Sequence, residues 1–340
     1  MHPLISAMTT GDNTMTIPRR RFLAATCALG IAAPFSPARA ASDYPSRPIE
    51  LIVPVAAGGG TDLVGRAFAE SVKKYLPQQP MVVTNKPGAS GAIGTAELIN
   101  AKPDGYKLGI IICELTIIPN LGITKHTASD LRPIARLNAD PAAITVRADA
   151  PWQTVDEFLA DARRRKDPIA IGNAGVGSIW HMAAAALGDK TGISFNHVPF
   201  LGAAPAAVAL LGGHVDALTV SPGEVAQHVA AGKMRTLAVM AEQRVGSALF
   251  EKVPTLKERG VDLSVQVWRG LGAPKALPQE LADLWAEVAR KAADDAVFRD
   301  ALLKANLGWA YADGPSFQAA IDKDRAFYKD LVPKLNIPKA

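Results

Sequence analysis

From position 44 onward, short apolar runs alternate with segments whose apolar residues recur every three or four positions. The run 49–55 has the continuous hydrophobicity of a buried strand and stops at Gly58-Gly59-Gly60. Over 61–75, Leu63, Val64, Ala67, Phe68, Ser71 and Val72 share one helical face. The same reading predicts a strand at 81–84, a helix at 91–100 closed by Pro103-Asp104-Gly105, and a strand at 107–112. This βαβαβ order predicts a parallel sheet with helices on both faces.

The alternation then restarts. It predicts strands at 142–147, 169–172, 195–198, 215–220 and 236–240, with helices at 154–165, 178–187, 203–211 and 223–231. A late strand covers 265–271, and the tail 278–335 reads as almost wholly helical. The stretches near 142–147 and 265–271 are the natural crossovers between two α/β lobes. One lobe is expected to hold 41–142 and 269–340, the other 143–268. No low-complexity tether separates them.

The chain has 340 residues, 49% hydrophobic and 20% charged, which is enough to bury two cores and excludes a disordered or collagen-like chain. Its formal charge of +5 suggests an anionic partner. Setting aside Arg19, Arg20, Arg21, Arg39 and Asp12 lowers that charge to +2, so the remainder carries no nucleic-acid footprint. Residues 1–40 read as an export leader: Arg19-Arg20-Arg21-Phe22-Leu23, an apolar run over 24–35, then Ala38-Arg39-Ala40 as a small-x-small cleavage signal. The run is too short to span ~30 Å of hydrocarbon. Its Arg-Arg-x-Phe-Leu order resembles a twin-arginine signal. The expected location is the periplasm, after cleavage near Ala40. Cys27 lacks a lipobox and leaves with the leader, so Cys113 stays without a disulfide partner and stability must come from the cores.

Three glycine-rich turns each join a strand to a helix: Ala57-Gly58-Gly59-Gly60-Thr61-Asp62, Pro87-Gly88-Ala89-Ser90-Gly91, and Asn173-Ala174-Gly175-Val176-Gly177-Ser178. Glycine lets a ligand approach the backbone, and a helix N-terminus offers free N–H groups and a positive dipole end. Such turns are common connections, but three of them, one in the second lobe, point to an anion held between lobes. The dinucleotide fingerprint lacks its third glycine at Leu63, and no Gly-Lys-Ser/Thr follows any turn. Asp62 either caps its helix, orders the loop or meets a ligand donor. Ser178 is a natural N-cap. With His181 it could form a nucleophile pair only with a third orienting group, and no Gly-x-Ser-x-Gly elbow is present. The histidines show no metal-ligand spacing, so neither metal nor cofactor is expected. Glu114 follows the apolar strand at the end where open α/β sheets place ligands. It is either a helix-start carboxylate or a ligand contact. Arg269 could pair with it or with a ligand, while Trp268 reads first as core.

The string Tyr44-Pro45-Ser46-Arg47-Pro48-Ile49, followed by Val53-Pro54-Val55-Ala56-Ala57-Gly58-Gly59-Gly60-Thr61-Asp62, resembles the Bug family, the periplasmic solute receptors of tripartite tricarboxylate transporters. The likeness continues through Asn85-Lys86-Pro87-Gly88-Ala89-Ser90-Gly91, Pro103-Asp104-Gly105-Tyr106, Asn173-Ala174-Gly175-Val176-Gly177-Ser178 with His181, Gly202-Ala203-Ala204-Pro205, and Leu210-Leu211-Gly212-Gly213-His214-Val215-Asp216. It implies a two-lobe class II periplasmic-binding-protein fold that closes on a small carboxylate, held by backbone N–H groups and ordered water. It points to Val55, Ala57, Gly58, Gly59, Thr61 and Asp62 in one lobe, and Gly175, Ser178, His181, Phe200 and Ser221 in the other. The implied partners are the ligand and membrane permease subunits of such a transporter. The receptor is expected to be a monomer.

Two departures bear on the ligand. Cys113-Glu114-Leu115-Thr116 stands where the family often has a small polar Thr/Ser stretch, and Pro199-Phe200-Leu201-Gly202 where it often has Pro-Tyr-Lys-Gly. A carboxylate is gained and a cation lost, so a second ligand carboxylate would meet Glu114 with less compensation. The expected ligand is a monocarboxylate with an apolar, amine, amide or aromatic portion. A hydrolase or lyase built on Ser178 and His181, and a sensor presenting its ligand to a membrane kinase, stay open as alternatives.

Overall fold

The computed structural model describes residues 44–200 and 202–335. The leader and Leu201 lie outside them. In chain order the elements are β1 (Ile49–Val53), α1 (Gly60–Val72), β2 (Met81–Asn85), α2 (Ala92–Ile99), β3 (Lys107–Ile112), β4 (Leu131–Pro141), β5 (Ala143–Arg147), α3 (Val155–Arg164), β6 (Ala170–Asn173), α4 (Ile179–Thr191), β7 (Asn196–Pro199), α5 (Ala203–Leu211), β8 (Ala217–Val220), α6 (Pro222–Ala230), β9 (Met234–Val239), β10 (Gln266–Pro274), α7 (Gln279–Asp294), α8 (Ala296–Lys304), β11 (Trp309–Asp313) and α9 (Gly314–Leu331).

Among the described residues these strands form two sheets, β11-β4-β10-β3-β1-β2 and β7-β6-β8-β5-β9. The chain leaves the first after β4, crosses at Ala142 into β5, and returns from β9 to β10. The βαβαβ expectation holds for β2-β1-β3, which pair in parallel with Leu51 opposite both Val83 and Leu108. A wholly parallel sheet does not form. β10 runs antiparallel to β3 and to β4, and β11 antiparallel to β4.

Two strands escaped the sequence reading. β4 carries Pro133 and Pro141 and alternates irregularly, because it pairs with β10 and β11, packs against helices, and faces different surroundings along its length. β11 breaks the expected run of tail helices; it is a short, half-exposed edge strand closed by Asp313, which caps α9. Elsewhere local chemistry sets the helix starts. Thr154 and Glu157 form a capping box for α3, as Ser221 and Glu224 do for α6, where Pro222 occupies the first turn.

Buried apolar side chains from both sheets pack as one cluster, from Ile52 and Ile111 to Ile171 and Leu218. Trp268 belongs to it: the ring packs edge-on against Phe317 at 5.1 Å, and its N–H donates to Asp324 at 2.7 Å. Packing is tight at Gly270, where an added Cβ would lie 2.3 Å from the Phe317 ring and 2.6 Å from the Ala135 carbonyl oxygen. Gly270→Ala is therefore expected to destabilise the protein by about 1–3 kcal/mol, read as a lower urea midpoint at unchanged slope.

Candidate functional site

The first glycine turn is held from below. Asp62 Oδ2 accepts from the Gly58 N–H at 2.9 Å and from Arg66 Nε at 3.0 Å, while Oδ1 accepts from Asn85 Nδ2 at 2.9 Å. Asn85 Nδ2 also donates to the Val55 carbonyl. Burial alone would raise the Asp62 pKa, but the hydrogen bonds from Arg66, Gly58 and Asn85 pull it below the ordinary value. Of the roles considered for Asp62, the geometry favours ordering the loop. Gly60, Thr61 and Asp62 then form the first helical turn, whose N–H groups have no partner within the helix.

The second turn is wound left-handed over four consecutive residues, with φ of 130° at Gly88, 47° at Ala89, 52° at Ser90 and 91° at Gly91. Left-handed backbone at Ala89 and Ser90 costs about 1–3 kcal/mol each and persists only where surrounding structure imposes it. The third turn closes on itself. Gly175 N–H donates to Asn173 Oδ1, Gly177 N–H to His181 Nδ1, and the His181 N–H to Ser178 Oγ. Ser178 is thus the N-cap of α4, leaving the N–H groups of Ile179 and Trp180 without helical partners.

These turns meet at a cleft of about 350 Å³ lined by both sheets' loops and by β10. Of the residues singled out from sequence, Val55, Thr61, Ser90, Glu114 and Ser178 line it. Ala57, Gly58 and Gly59 form the exposed shoulder of the first turn instead. Asp62, Gly175 and His181 support their loops from outside the lining, and Ser221 bonds Glu224 at the start of α6. Phe200 turns inward, with its ring 3.3 Å from where a Cβ on Gly172 would lie. Ile112, Ile179, Trp180 and Val267 line the cleft without having been singled out. Trp180 lies in an apolar helix and reads as core from sequence alone.

Glu114 is half-buried and makes no ion pair among the described residues; Cys113 Sγ donates to it at 3.4 Å. Burial pushes its pKa up, opposed by its own backbone N–H, by Cys113 and by the field of Arg269. Arg269 does not pair with it. The guanidinium donates to Asp140 Oδ2 at 2.9 Å, Asn138 Oδ1 at 2.5 Å and Thr61 Oγ1 at 2.9 Å, with both ion-pair side chains buried.

A larger crevice of about 690 Å³ lies along 241–247 and 306–310. Two of its arginines are already paired, Arg244 with Glu258 and Arg299 with Asp294. The smaller cleft, with its three loop ends, is the candidate site.

A family model, tripartite tricarboxylate transporter family receptor, matches residues 64–337. The chain belongs to this receptor family. It is 33% identical over 326 residues to a UPF0065 protein in the gbd 5′ region of Cupriavidus necator, covering 95% of this chain and 98% of the relative. It is 33% identical to BugT of Bordetella pertussis, over 72% of this chain and 75% of that one. A ligand-free crystal structure of a TctC solute-binding protein from Polaromonas superposes with a TM-score of 0.77 at 57% identity, covering 86% of this chain and all of the other. The two-lobe periplasmic-binding-protein fold follows, as do a periplasmic location and a receptor's role without catalysis. The site agrees with the last point: in this receptor Ser178 Oγ accepts a backbone N–H, and the His181 imidazole serves Gly177 rather than the hydroxyl.

His181 is buried and sits edge-on to His197 at 5.0 Å. Burial, with His197 adding to it, lowers its pKa to about 4. The unfolded chain therefore binds this proton more tightly. The resulting stability is full above about pH 6.5 and is lost as pH falls toward 4, by about 3 kcal/mol in all. His181→Gln is expected to flatten that slope in denaturant titrations between pH 7 and 4.

Proposed function

We propose that this receptor captures a small monocarboxylate bearing an apolar, amine, amide or aromatic portion, and delivers it to the permease of a tripartite tricarboxylate transporter. Residues 1–40 are taken as its leader, of twin-arginine type, cleaved near Ala40. The observation that carries the ligand class is the charge arrangement in the cleft. Among the described residues its one lining guanidinium, Arg269, is bound to Asp140, while Glu114 in the same lining makes no ion pair.

A ligand carboxylate is then best served by the unpartnered first-turn N–H groups of α1 and α4, where the helix dipoles favour an anion. Ile112, Val267, Ile179 and Trp180 supply an apolar middle. The far end of the ligand faces Glu114, which accepts from an amine or amide and repels a second carboxylate. Enclosure between the two lobes would couple binding to their closure, the motion a permease could recognise.

A thermal-shift screen of refolded protein against mono-, di- and tricarboxylates, aromatic acids, amino acids and amides tests this. A ligand at 100 times its dissociation constant stabilises by ~2.7 kcal/mol. Monocarboxylates should give the largest shifts and be recovered unchanged. Glu114→Gln should improve dicarboxylate binding relative to monocarboxylates by about tenfold. An unchanged preference would remove Glu114 from the account.

A further inference from the structure

The cleft's charge is set partly by a residue that does not line it. Asp140 lies in β4 behind Arg269, and its two oxygens have separate duties. Oδ2 takes Arg269 Nη1 at 2.9 Å, and Oδ1 takes the Gly308 N–H at 2.6 Å. Asn138 completes the enclosure, its Oδ1 on Arg269 and its Nδ2 on the Gly308 carbonyl at 2.6 Å and on Asp140 at 3.2 Å. Arg269 Nε reaches the Thr61 hydroxyl, on the first turn of α1. A Cβ on Gly60 would come within 3.1 Å of Arg269 Nη2, so this glycine makes room for the guanidinium against the helix start. A cation thus lies at the cleft wall with its charge balanced and its direction fixed from the side away from the ligand.

We propose that Asp140 is a positioning residue that determines ligand charge preference: by holding and neutralising Arg269, it denies a second ligand carboxylate the guanidinium that lines the cleft. The inference rests on the binding reading above and deepens it. Without the Asp140 charge the cleft becomes one unit more positive, while Asn at that position keeps a similar shape and an acceptor for Arg269. A unit charge a few ångströms from a ligand carboxylate in a partly wet cleft changes binding by roughly tenfold.

The test uses matched probes: succinate, glutarate and adipate, each against its own mono-amide, which has the same shape and one carboxylate. Dissociation constants are measured by calorimetry for wild type, Asp140→Asn, and Asp140→Asn with Arg269→Gln. The mono-amides should bind wild type better than the diacids. Asp140→Asn should shift the diacid-to-amide ratio about tenfold toward the diacid. The double variant, in which both charges are gone, should return the ratio to the wild-type value. General damage to the site would weaken both members of each pair together, and the double variant would not restore the ratio. An unmoved ratio in folded Asp140→Asn overturns the inference, as does failure of both variants to bind either series. If Asp140→Asn does not fold, a double-variant ratio shifted toward the diacid overturns it. The binding reading fails separately, if wild type prefers the diacids.

Discussion

The buried ion pair between Arg269 and Asp140 is the constraint on which the rest of the site depends. Its residues belong to β10 and β4, neighbouring strands of the six-stranded sheet next to the crossings to the second sheet. Two buried charges are tolerated only when their remaining hydrogen-bonding capacity is met. Here Asn138, Thr61 and the Gly308 backbone meet most of it, while Arg269 Nη2 makes no hydrogen bond among the described residues. The pair thereby joins three separated segments: the first turn of α1, the crossover strands, and the loop before β11. Truncating either partner would leave the other charge buried and uncompensated, a cost that Asn in place of Asp140 limits by keeping an acceptor for Arg269.

Around that fixed point the loops are built by the same logic. The first and third turns use their own polar groups to define their shape, Asp62 beneath the first and Asn173, Ser178 and His181 within the third. Only the backbone N–H groups that such internal bonding leaves over are available to a ligand. Gly58, Gly175 and Gly177 spend theirs on the protein. The orphan donors of Thr61, Ile179 and Trp180 sit two to five positions later, on residues that line the cleft.

This offset explains what the sequence could and could not reveal. The alternating pattern fixes most elements to within a few residues because each strand and helix buries a regular apolar face. β4 is hidden because its prolines and polar residues serve the crossing and the ion pair rather than one uniform core. With β4 unseen, Asp140 and Asn138 could not be brought to Arg269, and a Glu114–Arg269 pair stayed open. Glycine-rich turns flag the right loops, but a motif does not say which of its N–H groups are spent internally. Phe200 and Trp180 differ from expectation for a similar reason: Phe200 packs against the core instead of lining the cleft, while the buried Trp180 also reaches the cleft wall, and apolar residues carry no sequence mark of that direction.

The central claim is that a carboxylate is held by the first-turn N–H groups of α1 and α4 together, with Arg269 kept on Asp140. The most direct test is an amide NMR titration of refolded, ¹⁵N-labelled protein with the carboxylate that raises its melting temperature most. The account expects the largest shifts at Thr61, Ile179 and Trp180, saturating with a single dissociation constant, while the Arg269 side-chain Nε–H signal stays near its ligand-free position. Shifts confined to one helix start, or a large movement of the Arg269 signal with silent helix amides, would contradict it.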